Sequence, residues 1–136
     1  MLEEFIAQLF KEFDLGKPPA FEKDGGITLE IASFPISMVK LDRNTNFLTH
    51  VSAKIAPLPT HEKEEFLLKL MSANFLSQGT GGSTLGLKED DSFLTLSLTL
   101  PHDVDYRSFK DAVEEFINYL EYWKVETARY INNTID

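Results

Sequence analysis

The sequence predicts an α+β fold in which an antiparallel sheet of about five strands packs with three helices, in the order α-β-β-β-α-β-β-α. Three long segments have apolar residues at helical spacing, and five short segments alternate apolar and polar residues, as half-buried strands do. The connections between the first three strands are short. They cannot make parallel crossovers, so these strands are predicted to form an antiparallel meander.

The first predicted helix covers one face of the sheet. It ends at Gly16 and the Pro18-Pro19 pair, because glycine and proline do not continue a helix. Its apolar stripe consists of Leu2, Phe5, Ile6, Leu9, Phe10 and Phe13.

The predicted strands are bounded by turn residues. The Asp24-Gly25-Gly26 turn precedes the first strand, Phe34-Pro35 breaks the chain before the second, and the polar turn 42–46 precedes the third. In the last strand the even-numbered leucines face the core and Phe93 faces the other side. We predict strands at 27–31, 36–41, 47–55, 83–87 and 93–100.

The central helix, predicted over 62–76 with Thr60 as its N-cap, has almost no polar side. A helix on the outside of a solitary domain normally has one apolar stripe facing the core. Two apolar faces need two partners, and we expect these to be the chain's own sheet and a second copy of the chain. The apolar residues are Phe66, Leu67, Leu68, Leu70, Met71, Ala73, Phe75 and Leu76.

A glycine-rich segment ends the central helix, and we interpret it as a structural turn that leads into the fourth strand. A phosphate-binding loop has the opposite order, strand then glycines then helix, so this segment does not fit one. The turn residues are Gln78, Gly79, Gly81 and Gly82.

The last helix has an apolar stripe that ends at Trp123, and Asp103 or Asp105 can cap its first turn. Residues 125–136 lose the helical periodicity, so we expect a frayed C-terminal tail after a single domain at 1–124. The stripe consists of Phe109, Ala112, Val113, Phe116, Leu120 and Trp123.

Composition excludes several classes of function. A net charge of −9, from 22 acidic and 13 basic residues, disfavours binding to nucleic acids and anionic membranes. The chain has no cysteine, so it has no disulfide or thiolate metal site, as suits a reducing cytoplasm. The first residues lack a signal-peptide pattern, and no segment approaches the roughly 20 apolar residues of a membrane span.

No residue pattern nominates a catalytic or metal site. His50, His61 and His102 lack a second histidine at ligand spacing, and the serines lack a nucleophile-elbow motif. The acidic clusters fall on a helix start, a hairpin tip and an outer helix face, where solvation explains them. We therefore expect no catalytic residue, no metal and no cofactor.

The segment 73–82, ANFLSQGTGG, followed by Leu85-Gly86-Leu87, resembles the signature of the class I type III secretion chaperones, the CesT/SycE-like family. The similarity covers most of the chain from about Ile27 onward. It includes the strand ending near Leu100-Pro101 and the final helix.

This resemblance implies a bacterial cytoplasmic protein that binds the unfolded N-terminal segment of a secreted effector without ATP and keeps it soluble, non-globular and secretion-competent. The client would add a strand to a sheet edge and place apolar side chains in pockets of a chaperone dimer. The dimer would contain two copies of the chain, or one copy and a paralogous chaperone.

Pattern and family architecture together nominate two sets of site residues. The client-binding candidates are Phe5, Ile6, Leu9, Phe47, Val51 and Phe93. The dimer-interface candidates are Leu67, Met71, Asn74 and Phe75. The alternative from another class is a small α+β enzyme or ligand-binding domain with a pocket between the first helix and the sheet. A deep polar cavity would favour that alternative, and an elongated apolar groove would favour the chaperone.

Overall fold

Three helices and five strands form the fold in a computed structural model that describes residues 2–43, 46–88, 93–101 and 103–132. Within these ranges the side chains of residues 42, 43, 46, 47 and 132 are not described. A short 3-10 turn, Phe75–Ser77, follows the second helix. In chain order the elements are α1 (Leu2–Glu12), β1 (Gly26–Ile31), β2 (Phe34–Arg43), β3 (Asn46–Pro57), α2 (Lys63–Asn74), β4 (Thr84–Lys88), β5 (Phe93–Pro101) and α3 (Tyr106–Asn132).

The strands form one antiparallel sheet in the order β1-β2-β3-β5-β4, which makes β1 and β4 its edges. Register pairs such as Leu29 with Ile36 and Met38 with Val51 confirm the predicted meander of β1, β2 and β3. Strand β5 pairs with β3 on one side and β4 on the other. The predicted α+β fold is therefore confirmed.

The prediction that Phe34-Pro35 breaks the chain is wrong, because both residues belong to β2. The turn lies instead at Ala32 and Ser33, whose φ values of 52° and 69° suit a tight two-residue hairpin. Strand β2 pairs with β3 only from Ser37 onward. The amide hydrogen that proline lacks is therefore not needed by the β2–β3 ladder.

The core lies between one face of the sheet and the helices α1 and α3. On the sheet side, Val51, Ala53, Leu94 and Leu96 are buried, as the alternation in β3 and β5 predicts. Helix α1 contributes Leu2, Ile6, Leu9 and Phe10, and helix α3 contributes Phe109, Val113, Phe116, Leu120 and Trp123.

The N-terminus of α2 differs from the prediction. The helix begins at Lys63 after Glu62, which has a left-handed backbone with φ 52° and makes no side-chain capping bond. Thr60 therefore lies too far from the first turn to cap it, and that prediction is wrong. Glu64 and Glu65 do lie in the first turn, where negative charge is favourable beside unpaired amide groups.

Helix α3 is capped at its start as predicted. The Asp105 carboxylate accepts a hydrogen bond of 2.8 Å from the Ser108 amide, and this bond lowers the pKa of Asp105. The bond satisfies one of the amide groups that the first turn leaves without a helical partner.

The prediction that the chain frays after residue 124 is wrong for 125–132, which continue α3. The buried Glu126 carboxylate accepts a hydrogen bond of 2.5 Å from Lys69 Nζ on α2. The rings of Tyr130 and Phe66 pack with their centroids 4.7 Å apart. Contacts with α2 therefore stabilise the last turns, and the four residues after Asn132 lie outside the described part.

Candidate functional site

Helix α2 and the turn after it carry a cluster of exposed large apolar side chains, which we call the α2 surface. Its members are between 64% and 76% exposed, whereas Phe66 and Leu70 of the same helix are buried in the core. Exposed apolar side chains grouped on one element are typical of a surface that binds another protein. The α2 surface consists of Leu68, Met71, Phe75 and Leu76.

The four residues predicted for a dimer interface fall into two groups. Met71 and Phe75 belong to the α2 surface. Leu67 is half-buried and packs against the core. The Asn74 side chain makes two hydrogen bonds of 2.9 Å with the backbone of Leu85. Asn74 thus holds the end of α2 against β4.

The sequence interpretation did not place Leu68 and Leu76 in the interface, although both belong to the apolar run that indicated one. Leu76 has a left-handed backbone, with φ 52°, which is rare for a leucine. Helix α2 itself ends at Asn74, where the extended backbone of Phe75 caps it, and the Leu76 side chain in the following turn is exposed. The missed signal was that both sites carry leucine, where a helix facing only solvent would carry polar residues.

The glycine-rich segment forms a close contact between α2 and α3. The Gly79 amide donates to the Ala73 carbonyl at 2.9 Å, and the Gly79 carbonyl accepts a bond of 3.0 Å from Trp123 Nε1. A Cβ atom on Gly79 would lie 2.7 Å from the Ala73 Cβ, so only glycine allows this approach. The segment thereby holds the α2 surface at a fixed position.

Three of the predicted client contacts lie inside the core. Ile6, Leu9 and Val51 are each at most 1% exposed, so they offer no surface to a client, and their assignment is wrong for this conformation. Phe5 is half-buried and packs against Phe109, with the ring centroids 5.2 Å apart. The apolar periodicity identified the core-facing stripe of α1 correctly but did not identify an outer one.

The other two predicted client contacts lie near the starts of their strands, at opposite ends of the antiparallel β3–β5 pair. Phe93 is half-buried at the start of β5, with Lys54 Nζ 5.2 Å from its ring centroid. Phe47 lies in β3, but its side chain is outside the described residues. Their roles stay predictions.

An open groove lies at the C-terminal end of the edge strand β1, between the segment that follows α1 and helix α3; we call it the β1 groove. It has a volume of about 430 Å³, and its apolar lining includes Phe13, Leu15 and Ile117. In the described part of the chain β1 pairs only with β2. An edge strand with a free side can pair with an extended peptide, whose side chains then need adjacent pockets.

Polar contacts fix both ends of α1, the helix that precedes the groove residues Phe13 and Leu15. Lys40 Nζ lies 3.0 Å from the Glu3 carboxylate, and the Tyr106 hydroxyl donates to the Glu12 carboxylate. The pKa of Glu3 is lowered to about 2, first by a backbone hydrogen bond and then by Lys40. Burial and Glu12 raise the pKa of Tyr106 to about 12. Both shifts favour an ionised Glu3 and a protonated Tyr106, which are the states that make these contacts with α1.

The Glu3 shift predicts an acid-dependent contribution to stability. A carboxyl group with a depressed folded-state pKa stabilises the fold above its unfolded value of 4.5, and loses that contribution as pH falls towards about 2. Glu3→Gln should therefore lower the thermal midpoint near neutral pH, and the gap from wild type should narrow between about pH 5 and pH 3. Glu4→Gln on the same helix is the control. A difference in thermal midpoint that does not change with pH would contradict the lowered pKa of Glu3.

The space between α1 and the sheet does not support a catalytic pocket. The cavity lined there by Leu2, Phe5 and Lys40 has a volume of about 20 Å³, which is close to the space that a single water molecule needs. Among the described residues no three His, Asp or Glu side chains are placed to hold a metal ion. No described helix is both long and apolar enough to span a bilayer.

Three solved structures share this fold. A chain of the HopA1–SchA chaperone–effector complex aligns with a TM-score of 0.69 and 14% identity, over 90% of this chain and 92% of that one. A chain of the ExsC–ExsE complex aligns with 0.70 and 14%, over 93% and 92%. A chain of the heterodimeric ExoU–SpcU complex, from the type III secretion system of Pseudomonas aeruginosa, aligns with 0.61 and 19%, over 97% and 96%. At these identities the likeness establishes the fold.

The sequence itself matches a known family. A comparison with curated proteins finds no match. Residues 4–124, however, match the profile of the Tir chaperone protein (CesT) family. The match spans most of α1, the whole sheet, the glycine-rich segment and most of α3. The chain therefore belongs to the Tir chaperone protein (CesT) family.

Proposed function

We propose that this chain is a type III secretion chaperone that binds the N-terminal chaperone-binding segment of a secreted effector. It keeps that segment soluble, non-globular and secretion-competent in the bacterial cytoplasm, without ATP. The observation that carries this proposal is the family match over residues 4–124. The solved complexes that share the fold, such as HopA1–SchA, pair a chaperone with an effector and support it.

The client segment binds in an extended conformation at the sheet edge. Strand β1 is an edge that can pair with an added strand beyond Gly26, whose own backbone groups bond to Asp24 and Glu22, and the β1 groove takes apolar side chains of that strand. Backbone bonds tolerate many client sequences, whereas the groove selects for shape and apolarity. Phe5, Phe47 and Phe93 stay in the proposed client-binding set as secondary contacts.

A second protein chain covers the α2 surface. The partner is another copy of this chain or a paralogous chaperone, and Met71 and Phe75 lie in the contact. An isologous contact places the same apolar helix on both sides, so the two exposed surfaces bury each other. Pairing doubles the number of sheet edges that one client can reach.

The proposed mechanism involves no catalysis and no cofactor. Binding holds the client in an extended state, and the apolar area that it buries offsets the cost of ordering it. The alternative of a small enzyme or ligand-binding domain needs a pocket between α1 and the sheet, and the cavity there is too small for a substrate.

The proposal predicts that charge in the β1 groove prevents client capture. Phe13 lines the groove and is 37% exposed, so Phe13→Asp should leave the core intact. Even with Lys110 Nζ close to this position, a carboxylate in place of the ring removes apolar contact with the client and should lower affinity about tenfold or more. The measurement is the yield of client recovered with the tagged chaperone from cells that express a type III secretion system.

The matched control is Ala20→Asp, which adds the same charge at an exposed position outside the groove. It should recover the client as wild type does. If wild type recovers no stoichiometric partner from secreting cells, the proposed function is wrong. If Phe13→Asp and Ala20→Asp recover equal amounts, the function stands and the groove is not the site.

A further inference from the structure

A second groove lies at the end of the sheet where β2 and β5 begin and β3 and β4 end; we call it the lysine groove. It has a volume of about 490 Å³, within the usual range for sites that bind small groups or short peptide segments. Three lysines line this groove: Lys54 on β3, Lys88 on β4 and Lys124 on α3.

The charge of this groove is opposite to that of the chain. The net charge of the protein is −9, yet no acidic side chain lines the groove in the part of the chain that the structure describes. None of its three lysines forms an ion pair with a described residue. A local positive site in an acidic protein attracts an anionic group while the remaining surface repels it.

Two of the ammonium groups are positioned by aromatic rings. Lys54 Nζ lies 5.2 Å from the ring centroid of Phe93, and Lys124 Nζ lies 5.1 Å from that of Phe34. These cation–π contacts hold the charges near the groove without neutralising them. The Phe93 ring, with Pro35 and Ile55 in the lining, gives the site apolar walls.

We propose that the lysine groove binds an acidic side chain of the client's extended segment, with the apolar neighbours of that side chain against Phe93 and Pro35. A carboxylate flanked by apolar residues matches both the three ammonium groups and the apolar walls. A small free anion would use only the charges. This inference rests on the proposed function and gives the client a sequence preference that the β1 groove does not supply.

The test uses two synthetic peptides and fluorescence anisotropy. One peptide contains two Leu-Glu-Leu triplets joined by serine and glycine, and the other has glutamine in place of each glutamate. Wild-type protein should bind the glutamate peptide about fivefold or more tightly than the glutamine peptide at low salt, and the preference should decrease as salt is added.

Two triple variants test whether the preference for the glutamate peptide arises in the lysine groove. Lys54→Gln/Lys88→Gln/Lys124→Gln should abolish it. Lys17→Gln/Lys23→Gln/Lys63→Gln changes the net charge equally at exposed lysines outside the groove and should preserve it. The inference is overturned if neither peptide binds, if both bind equally, or if the first triple variant keeps the preference. In each case, client recovery by the wild-type protein would show that the proposed function still holds.

The chain's own acidic residues provide the remaining control. Glu89, Asp90 and Asp91 follow Lys88 directly in the sequence and lie outside the described residues. A preference that appears only in the variant Glu89→Gln/Asp90→Asn/Asp91→Asn would mean that this segment already fills the groove. That result would overturn client binding there.

Discussion

Leu68→Asp together with Met71→Asp should abolish the proposed dimer of this chain and leave a folded monomer. The two side chains are 66% and 71% exposed, so replacing them does not disturb the core of a single chain. In an isologous dimer they would bring four carboxylates into an apolar contact, where unpaired charge is costly. We expect the dissociation constant of the dimer to rise at least about 100-fold.

Size-exclusion chromatography with light scattering at micromolar concentration measures this effect, and circular dichroism checks that the variant is folded. The control is Ala7→Asp with Gln8→Asp, which adds the same charge on the exposed side of α1. Leu67→Asp is a poorer test because Leu67 packs against the core. A wild-type chain that forms neither a homodimer nor a pair with a paralogous chaperone, or a double variant that remains dimeric, would contradict the role of the α2 surface.

Gly81→Ala should destabilise the fold more than the same substitution at the neighbouring Gly82. Gly81 has φ +61°, and an added Cβ would overlap the Tyr119 ring and approach the Glu115 carboxylate. Left-handed strain costs about 1 kcal/mol for a residue with a side chain, and overpacking adds about 1–3 kcal/mol. We therefore expect a loss of about 2–4 kcal/mol in the free energy of unfolding.

A substitution at the adjacent glycine separates the cost of backbone strain from the cost of overpacking. Gly82 has φ +91°, and a Cβ there would meet no atom within 4 Å. Gly82→Ala should therefore cost only the backbone strain of about 1 kcal/mol. Chemical denaturation of the three proteins measures the difference. Equal losses in the two variants would show that the contact of the glycine-rich segment with α3 is not tightly packed.

The sheet was predictable from the sequence because its signals are local. In β1 the alternation of Ile27, Leu29 and Ile31 with polar residues is enough to assign a strand and its buried face. The end of α3 was not predictable in this way. Its last turns depend on the Lys69–Glu126 hydrogen bond and on the packing of Tyr130, which join residues far apart in sequence.

The binding surfaces were predictable only in part, for a similar reason. The all-round apolarity of α2 indicated a second partner, but the sequence could not show that Asn74 and Leu67 face the chain itself while Leu68 is exposed. In α1 the apolar stripe contains Ile6 and Leu9, and periodicity alone cannot distinguish a core-facing stripe from a client-facing one. The β1 groove joins the segment after α1, the end of β1 and helix α3, so it exists only after folding.

Hydrogen exchange of the chaperone alone and with its captured client tests the central claim most directly. If the client adds a strand at the open edge, amide exchange in Gly26–Ile31 should slow markedly when the client is bound. The opposite edge, Thr84–Lys88, should change less. Unchanged exchange in Gly26–Ile31 in a complex that contains stoichiometric client would contradict the account.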